Sequence, residues 1–128
     1  MIKISVVKQA NYPVSAANIK KKLNTYFTKN GISSTAEVSV AIVGEKRMRE
    51  LSAKYLKDNK THSVLSFTPD EVKDKFVYPP DGTIHLGEIL VCYPAAVQEA
   101  QKEARLIDEA VYKLIEHGAG HLLGFHHE

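Results

Sequence analysis

Imidazole is concentrated at the end of this 128-residue chain, where His117, His121, His126 and His127 are four of six histidines. His117 and His121 are four positions apart. An α-helix advances ~100° per residue, so such a pair shares one face and can offer two nitrogens to one ion. Gly124 can take positive φ and end the helix, after which the chain can turn back and bring His127 to the same point. Three protein ligands and one open position is the arrangement of a catalytic zinc rather than a structural one. A single zinc ion suits neutral imidazoles first, although nickel, copper, cobalt or iron can occupy the same nitrogens. His126, beside the third ligand, is placed to orient a ligand or to act as an acid or base.

The spacing H-x-x-x-H-x-x-G-x-x-H is also that of the metzincin proteases, in which a Glu directly after the first His is the general base. Position 118 of this chain is glycine, and Glu116, on the other side of His117, points ~100° away around the helix. The ligand spacing is therefore present without the protease's base.

The rest of the chain reads as the elements that must hold this helix. Residues 2–8 alternate Ile2, Ile4 and Val6 with polar positions, the period of a half-buried strand. Ser15 is a helix N-cap, and Ile19, Leu23 and Phe27 recur every fourth residue of a helix running to about residue 29. Lys20, Lys21 and Lys22 fall mainly off that stripe and read as a solvated face rather than an RNA contact. Asn30-Gly31 ends the helix. Residues 36–43 alternate again as a second strand, and Gly44 opens a helix over 45–56 with Met48, Leu51 and Tyr55 on its apolar stripe. Lys46, Arg47, Arg49, Lys54, Lys57 and Lys60 make this the densest basic patch in the sequence. Short strands follow at 64–67 and 84–92, joined by a proline-containing loop over 68–82 in which 76–78 could pair briefly, and the two could form an antiparallel pair. Pro94 suits the first turn of a helix covering 95–105. The last helix, 108–123, carries Ala110, Leu114, Gly118 and Leu122 on one stripe. No repeat or linker divides the chain, so residues 1–128 are expected to form one α+β domain, a small mixed sheet packed with helices.

Composition narrows the classes further. Hydrophobic residues are 44% and charged residues 25% of the chain, ordinary values for a globular protein. No run approaches the roughly 20 apolar residues of a membrane span, and the first eight residues are too short and alternating for a signal peptide, so the cytoplasm is expected. The lone Cys92 lies in an apolar run and reads as a small core residue. A net charge of +2 does not by itself argue for nucleic acid, so that case rests on where the charges sit.

In three places the sequence resembles the YbeY family of bacterial rRNA maturation factors. His117, Gly118, His121, Leu122, Gly124 and His127 match its approximate signature H-G-x-x-H-L-x-G-Y-D-H, with Phe125 for the Tyr. Val64-Leu65-Ser66-Phe67 resembles its T-D/N-V-L-S-F segment and Leu86-Gly87-Glu88-Ile89 its L-G-D-I, and order and spacing hold from about residue 36 onward. The resemblance implies a single α+β domain with zinc held by His117, His121 and His127, and Ser66 and Glu88 near the site. It also implies a metal-dependent endoribonuclease acting on single-stranded RNA, with links to the small ribosomal subunit, trimming of the 3′ end of 16S rRNA and ribosome quality control. Neither DNA nor a membrane is an expected partner. Three positions depart from the pattern: His126 replaces an Asp, Ser63 an Asp or Asn, and Leu56 the Arg that follows the aromatic residue. Glu128, next to His127, brings a carboxylate that could replace the missing acid.

The chemistry expected is cleavage of an RNA phosphodiester, with water or the 2′-hydroxyl as nucleophile. Zinc would lower the pKa of a bound water toward about 7 and polarise a phosphoryl oxygen. Lys46, Arg49, Lys54, Lys57 and Lys60 would hold phosphates, giving affinity that falls with salt. The alternatives are a non-catalytic ribosome-assembly factor with a structural zinc and, further off, a metalloprotease.

Overall fold

The computed structural model describes residues 1–8, 12–58, 60–71 and 82–125. The elements run β1 (Ile2–Lys8), α1 (Ala16–Lys29), β2 (Ala36–Val43), α2 (Glu45–Tyr55), β3 (Val64–Phe67), β4 (Ile84–Cys92), α3 (Tyr93–Glu103) and α4 (Ile107–Leu122). They form a small α+β domain with a mixed four-stranded sheet in the order β1-β2-β4-β3. β1, β2 and β4 are parallel, and β3 is antiparallel to β4, with Val64 opposite Val91 and Phe67 opposite Glu88.

Alternation along the strands divides their side chains between two faces. Val38, Val40 and Ile42 of β2 and Ile89 and Val91 of β4 pack with Leu23 and Phe27 of α1 and Val111 and Ile115 of α4 in the larger core. Leu90 and Cys92 of β4, with Leu65 and Phe67 of β3, meet Met48 and Leu51 of α2 in a smaller core on the other face. The sheet thus separates α4, which carries the histidines, from α2, which carries the basic patch.

Local chemistry explains the element ends. Ser15 caps α1 by accepting a hydrogen bond from the backbone N–H of Asn18. Its cap contributes roughly 1 kcal/mol, against about 1.5–3 kcal/mol for each of the three buried side chains Ile19, Leu23 and Phe27. Packing therefore decides the helix and the cap fixes where it begins. α3 begins at Tyr93, two residues earlier than the sequence suggests, because Pro94 occupies the first turn. It ends at Glu103 because Ala104 is left-handed (φ 53°), leaving Arg105 outside the helix.

A register shift between Glu37 and Val38 sets Leu86 between two paired residues, since Glu37 pairs with His85 and Val38 with Gly87. This bulge lets Leu86 and Ile89 both reach the larger core. Gly87 is at φ +131° there, and a Cβ at this position would lie 2.1 Å from the Phe67 carbonyl oxygen. Glycine is what allows β3 to approach. Residues 76–78 lie outside the described residues. Among the described residues, no helix is long and apolar enough to cross a membrane.

Candidate metal centre

α4 starts with Asp108 and Glu109 in its first turn and ends with His121 in its last, charges and a cationic-capable ring that suit the helix dipole. Ala110, Val111, Leu114, Ile115, Gly118, Ala119 and Leu122 bury one side against the sheet. His117 is exposed and His121 half-buried, so helical periodicity sets the two imidazoles together along the border of the buried stripe.

The helix closes with a Schellman turn. The Phe125 N–H donates to the Gly120 carbonyl at 2.8 Å and the Gly124 N–H to the His121 carbonyl at 2.9 Å, with Gly124 at φ +86°. The helix ends at Leu122 and Gly124 takes positive φ, as its position in the sequence suggests. His126, His127 and Glu128 lie outside the described residues.

Gly118 has a structural reason that the sequence alone does not supply. A Cβ there would sit 2.9 Å from Cγ2 of Ile89 and 3.3 Å from Cβ of Ser66. The residue after the first histidine therefore points at the sheet, where no carboxylate of the protease kind has room. The same contact brings Ser66 of β3 against α4, one residue from His117. Glu88 is exposed and alternates with Ile89, so the strand turns it to the α2 side, away from the histidines.

Glu71, which sequence reading leaves inside a loop, is brought to the histidines. Its Oε1 is 3.0 Å and its Oε2 3.3 Å from Nε2 of His121. Thr68 orients the carboxylate by donating its backbone N–H at 2.9 Å and its hydroxyl at 3.1 Å. The Thr68 backbone hydrogen bond first, with His121 adding to it, holds the Glu71 carboxyl below its ordinary pKa. The available signal was the Thr-x-x-Glu spacing of a capping box, but nothing in the sequence gave its long-range partner. A carboxylate accepting from the N–H of one imidazole nitrogen fixes the tautomer and leaves the other nitrogen with its lone pair free to accept or to bind an ion.

The donor chemistry fits a zinc-type ion: two imidazoles one helical turn apart beside an oriented carboxylate. Among the described residues, however, no group of three or more His, Cys, Asp or Glu is gathered to hold a metal, and His127 is not among them. Of the basic residues, Lys46, Arg49, Lys54, Lys57 and Lys60 are all exposed. Arg49 is partly engaged with Glu45 at 3.8 Å and Thr61 at 3.3 Å. They lie on and just beyond α2, on the far face of the sheet from the histidines, with the edge strand β3 between. Tyr55 packs on Phe67 with ring centroids 5.0 Å apart, and the following Leu56 is 44% exposed. The position where the family pattern has Arg thus faces solvent at the end of α2.

Fold and site together define a small α+β protein with a histidine-bearing helix against a mixed sheet. The family profile described as Endoribonuclease YbeY matches residues 5–128, and the chain belongs to that family. Endoribonuclease YbeY of a Dehalococcoides mccartyi strain is 32% identical over 123 residues, covering 90% of this chain and 77% of the relative. Endoribonuclease YbeY of Acinetobacter baumannii is 29% identical over 132 residues, covering 99% and 82%. The solution structure of TM1509 from Thermotoga maritima is similar with a TM-score of 0.61 at 25% identity, covering all of this chain and 75% of that one. Family membership implies an enzyme that cleaves RNA.

Proposed function

We propose that the chain is a zinc-dependent endoribonuclease specific for single-stranded RNA. Its proposed role is in the cytoplasm, on the small ribosomal subunit, in 16S rRNA 3′-end maturation and quality control. The observation that carries this reading is the pair His117 and His121, one turn apart on a helix ended by Gly124, in a chain of an endoribonuclease family.

In this reading His117, His121 and His127 hold one zinc ion. When bound, the ion supplies Lewis-acid polarisation of a phosphoryl oxygen and acidification of water. The chain's own residues do the rest. The Glu71 carboxylate holds the His121 ring at Nε2, and Thr68 holds Glu71. Ser66, against Gly118, offers a hydroxyl beside the histidines. His126 is the proposed proton carrier, delivering a proton to the departing oxygen of the cleaved bond: the 5′-oxygen when the 2′-hydroxyl attacks, the 3′-oxygen when water attacks and leaves a 3′-hydroxyl. Lys46, Arg49, Lys54, Lys57 and Lys60 bind phosphates of strand lying beyond the β3 edge. Glu88 enters only as an exposed carboxylate on that same side. Product ends report the nucleophile: a 2′,3′-cyclic phosphate marks the 2′-hydroxyl and a 3′-hydroxyl with a 5′-phosphate marks water.

The test is His121→Ala in nuclease-free protein, with circular dichroism to check folding. Cleavage of a defined single-stranded RNA is expected to fall by at least about a hundredfold, the scale of losing an essential polarising group. Cleavage that persists in the folded variant contradicts the proposal. The exposed Leu56, where the family pattern has Arg, favours the second reading of a non-catalytic assembly factor with a structural zinc. That reading requires binding to precursor small-subunit RNA that survives histidine substitution, with no cleavage by the unsubstituted protein.

A further inference from the structure

A groove of about 490 Å³ runs between α1 and α4, lined by Lys22, Tyr26, Arg105, Tyr112, Lys113 and His117 together with Glu109 and Glu116. It lies on the histidine face of the sheet, and none of the α2 cations contributes to it. Lys22 does not simply point to solvent: its Nζ stands 5.3 Å from the centre of the Tyr112 ring. A second groove, of about 450 Å³, meets the first at His117 and Lys113 and continues past Lys102 to Ser63 and Val64 at the β3 edge. His117 and Lys113 therefore border both grooves.

The lining joins aromatic rings to cations, the combination that grips single-stranded nucleic acid through base faces and phosphates. The volume is within the range of small-ligand clefts, roughly 300–1,000 Å³. Arg105 and Lys113 reach Glu103 at 3.6 and 3.1 Å, but solvent screens exposed pairs of this kind and leaves them weak. A phosphate can compete for both. Burial, with the Glu116 carboxylate next, raises the Tyr112 pKa, and the hydroxyl is engaged by Glu116, so the ring is what this residue offers in the groove.

We propose that the α1–α4 groove is a nucleotide subsite that takes single-stranded RNA, with Tyr26 and Tyr112 offering ring surface to a base and Lys22, Arg105 and Lys113 meeting the flanking phosphates. It leads the strand to His117 on the histidine face, independently of the α2 patch. The inference rests on the RNA reading above.

The test measures binding of a labelled single-stranded oligoribonucleotide to the full chain by fluorescence anisotropy across salt, with steady-state cleavage alongside. The pair Lys22→Glu with Arg105→Glu is compared with Lys20→Glu with Lys21→Glu, an equal charge change on α1 outside the groove. The groove pair is expected to weaken binding about tenfold or more and to flatten the salt dependence by about one to two charges. KM should rise in step while kcat falls far less. The α1 control pair should stay within about twofold of the unsubstituted protein. Tyr112→Leu, in folded protein, should weaken binding with an unchanged salt slope, because it removes a ring and no charge. Groove and control pairs that weaken binding equally overturn the subsite, as does a groove pair that binds normally, and either result leaves the RNA reading standing. If the unsubstituted chain neither binds nor cuts single-stranded RNA, the RNA reading falls and the subsite with it.

Discussion

Two glycines of the matching motifs are fixed by contact rather than by turn geometry alone. At Gly87 the obstacle is a backbone oxygen 2.1 Å from the Cβ position, in a conformation that side chains rarely adopt. Backbone cannot move aside as a flexible side chain can, so Gly87→Ala should cost on the order of 3 kcal/mol or more. At Gly118 the obstacle is the γ-methyl of Ile89, a fully buried β-branched residue. Alanine gains about 1 kcal/mol of helix propensity over glycine, but overpacking costs about 1–3 kcal/mol. Gly118→Ala should therefore be a net loss. Gly120 is the internal comparison, because its nearest obstacle is the Tyr26 hydroxyl at 3.3 Å, the tip of a half-buried side chain, and Gly120→Ala should be near neutral. Urea midpoints in the order Gly120→Ala above Gly118→Ala above Gly87→Ala check this, and equal midpoints for the last two and the unsubstituted chain would contradict it. Position 118 was legible from sequence as a missing protease base. Why it is glycine needed Ile89 and Ser66 in place beside it.

Among elements, periodic segments were the most legible. The 2.0-residue and 3.6-residue patterns located β1, β2, α1, α2 and α4, while Pro94 and the helix-forming residues after it located α3 and short strand-like runs located β3 and β4. The segment between α2 and β3 was not legible, because its order comes from a polar staple. The buried hydroxyl of Ser52 donates to Asp58, the Lys60 backbone N–H donates to the same carboxylate at 3.1 Å, and His62 Nε2 lies 3.2 Å from it. The Ser52 hydrogen bond is the largest cause holding the Asp58 carboxyl below its ordinary value. A carboxyl with a depressed folded-state pKa stabilises the fold at pH above its unfolded value, and that contribution is lost as pH falls through the depressed one. The stability gap between the unsubstituted chain and Ser52→Ala, read as Tm, should therefore narrow as pH drops below about 4. A gap independent of pH would show that Ser52 acts by packing alone. Glu71 escaped sequence reading for a similar reason: its partner, His121, is 50 residues away in the chain.

At the scale of the molecule, the sheet sets the chemistry's layout. The histidines and the α1–α4 groove are on one face and the α2 cations on the other. The sequence showed both charge clusters and the histidine spacing. It could not show that the larger basic cluster is remote from the histidines, because strand order is a long-range property. It places Lys22 on a solvated face, which the exposure of that residue bears out, but periodicity could not reveal that Tyr112 lies across from it. The central claim, metal-dependent cleavage of single-stranded RNA, is tested most directly by the initial rate of cleavage of a 16S 3′-end RNA by metal-stripped, nuclease-free protein as zinc is added. The expected rate rises from baseline to a plateau at about one zinc per chain, consistent with a single three-ligand site, disappears with chelator, and is absent on the same sequence held as a duplex. A rate indifferent to zinc and chelator, or equal on the duplex, would contradict it.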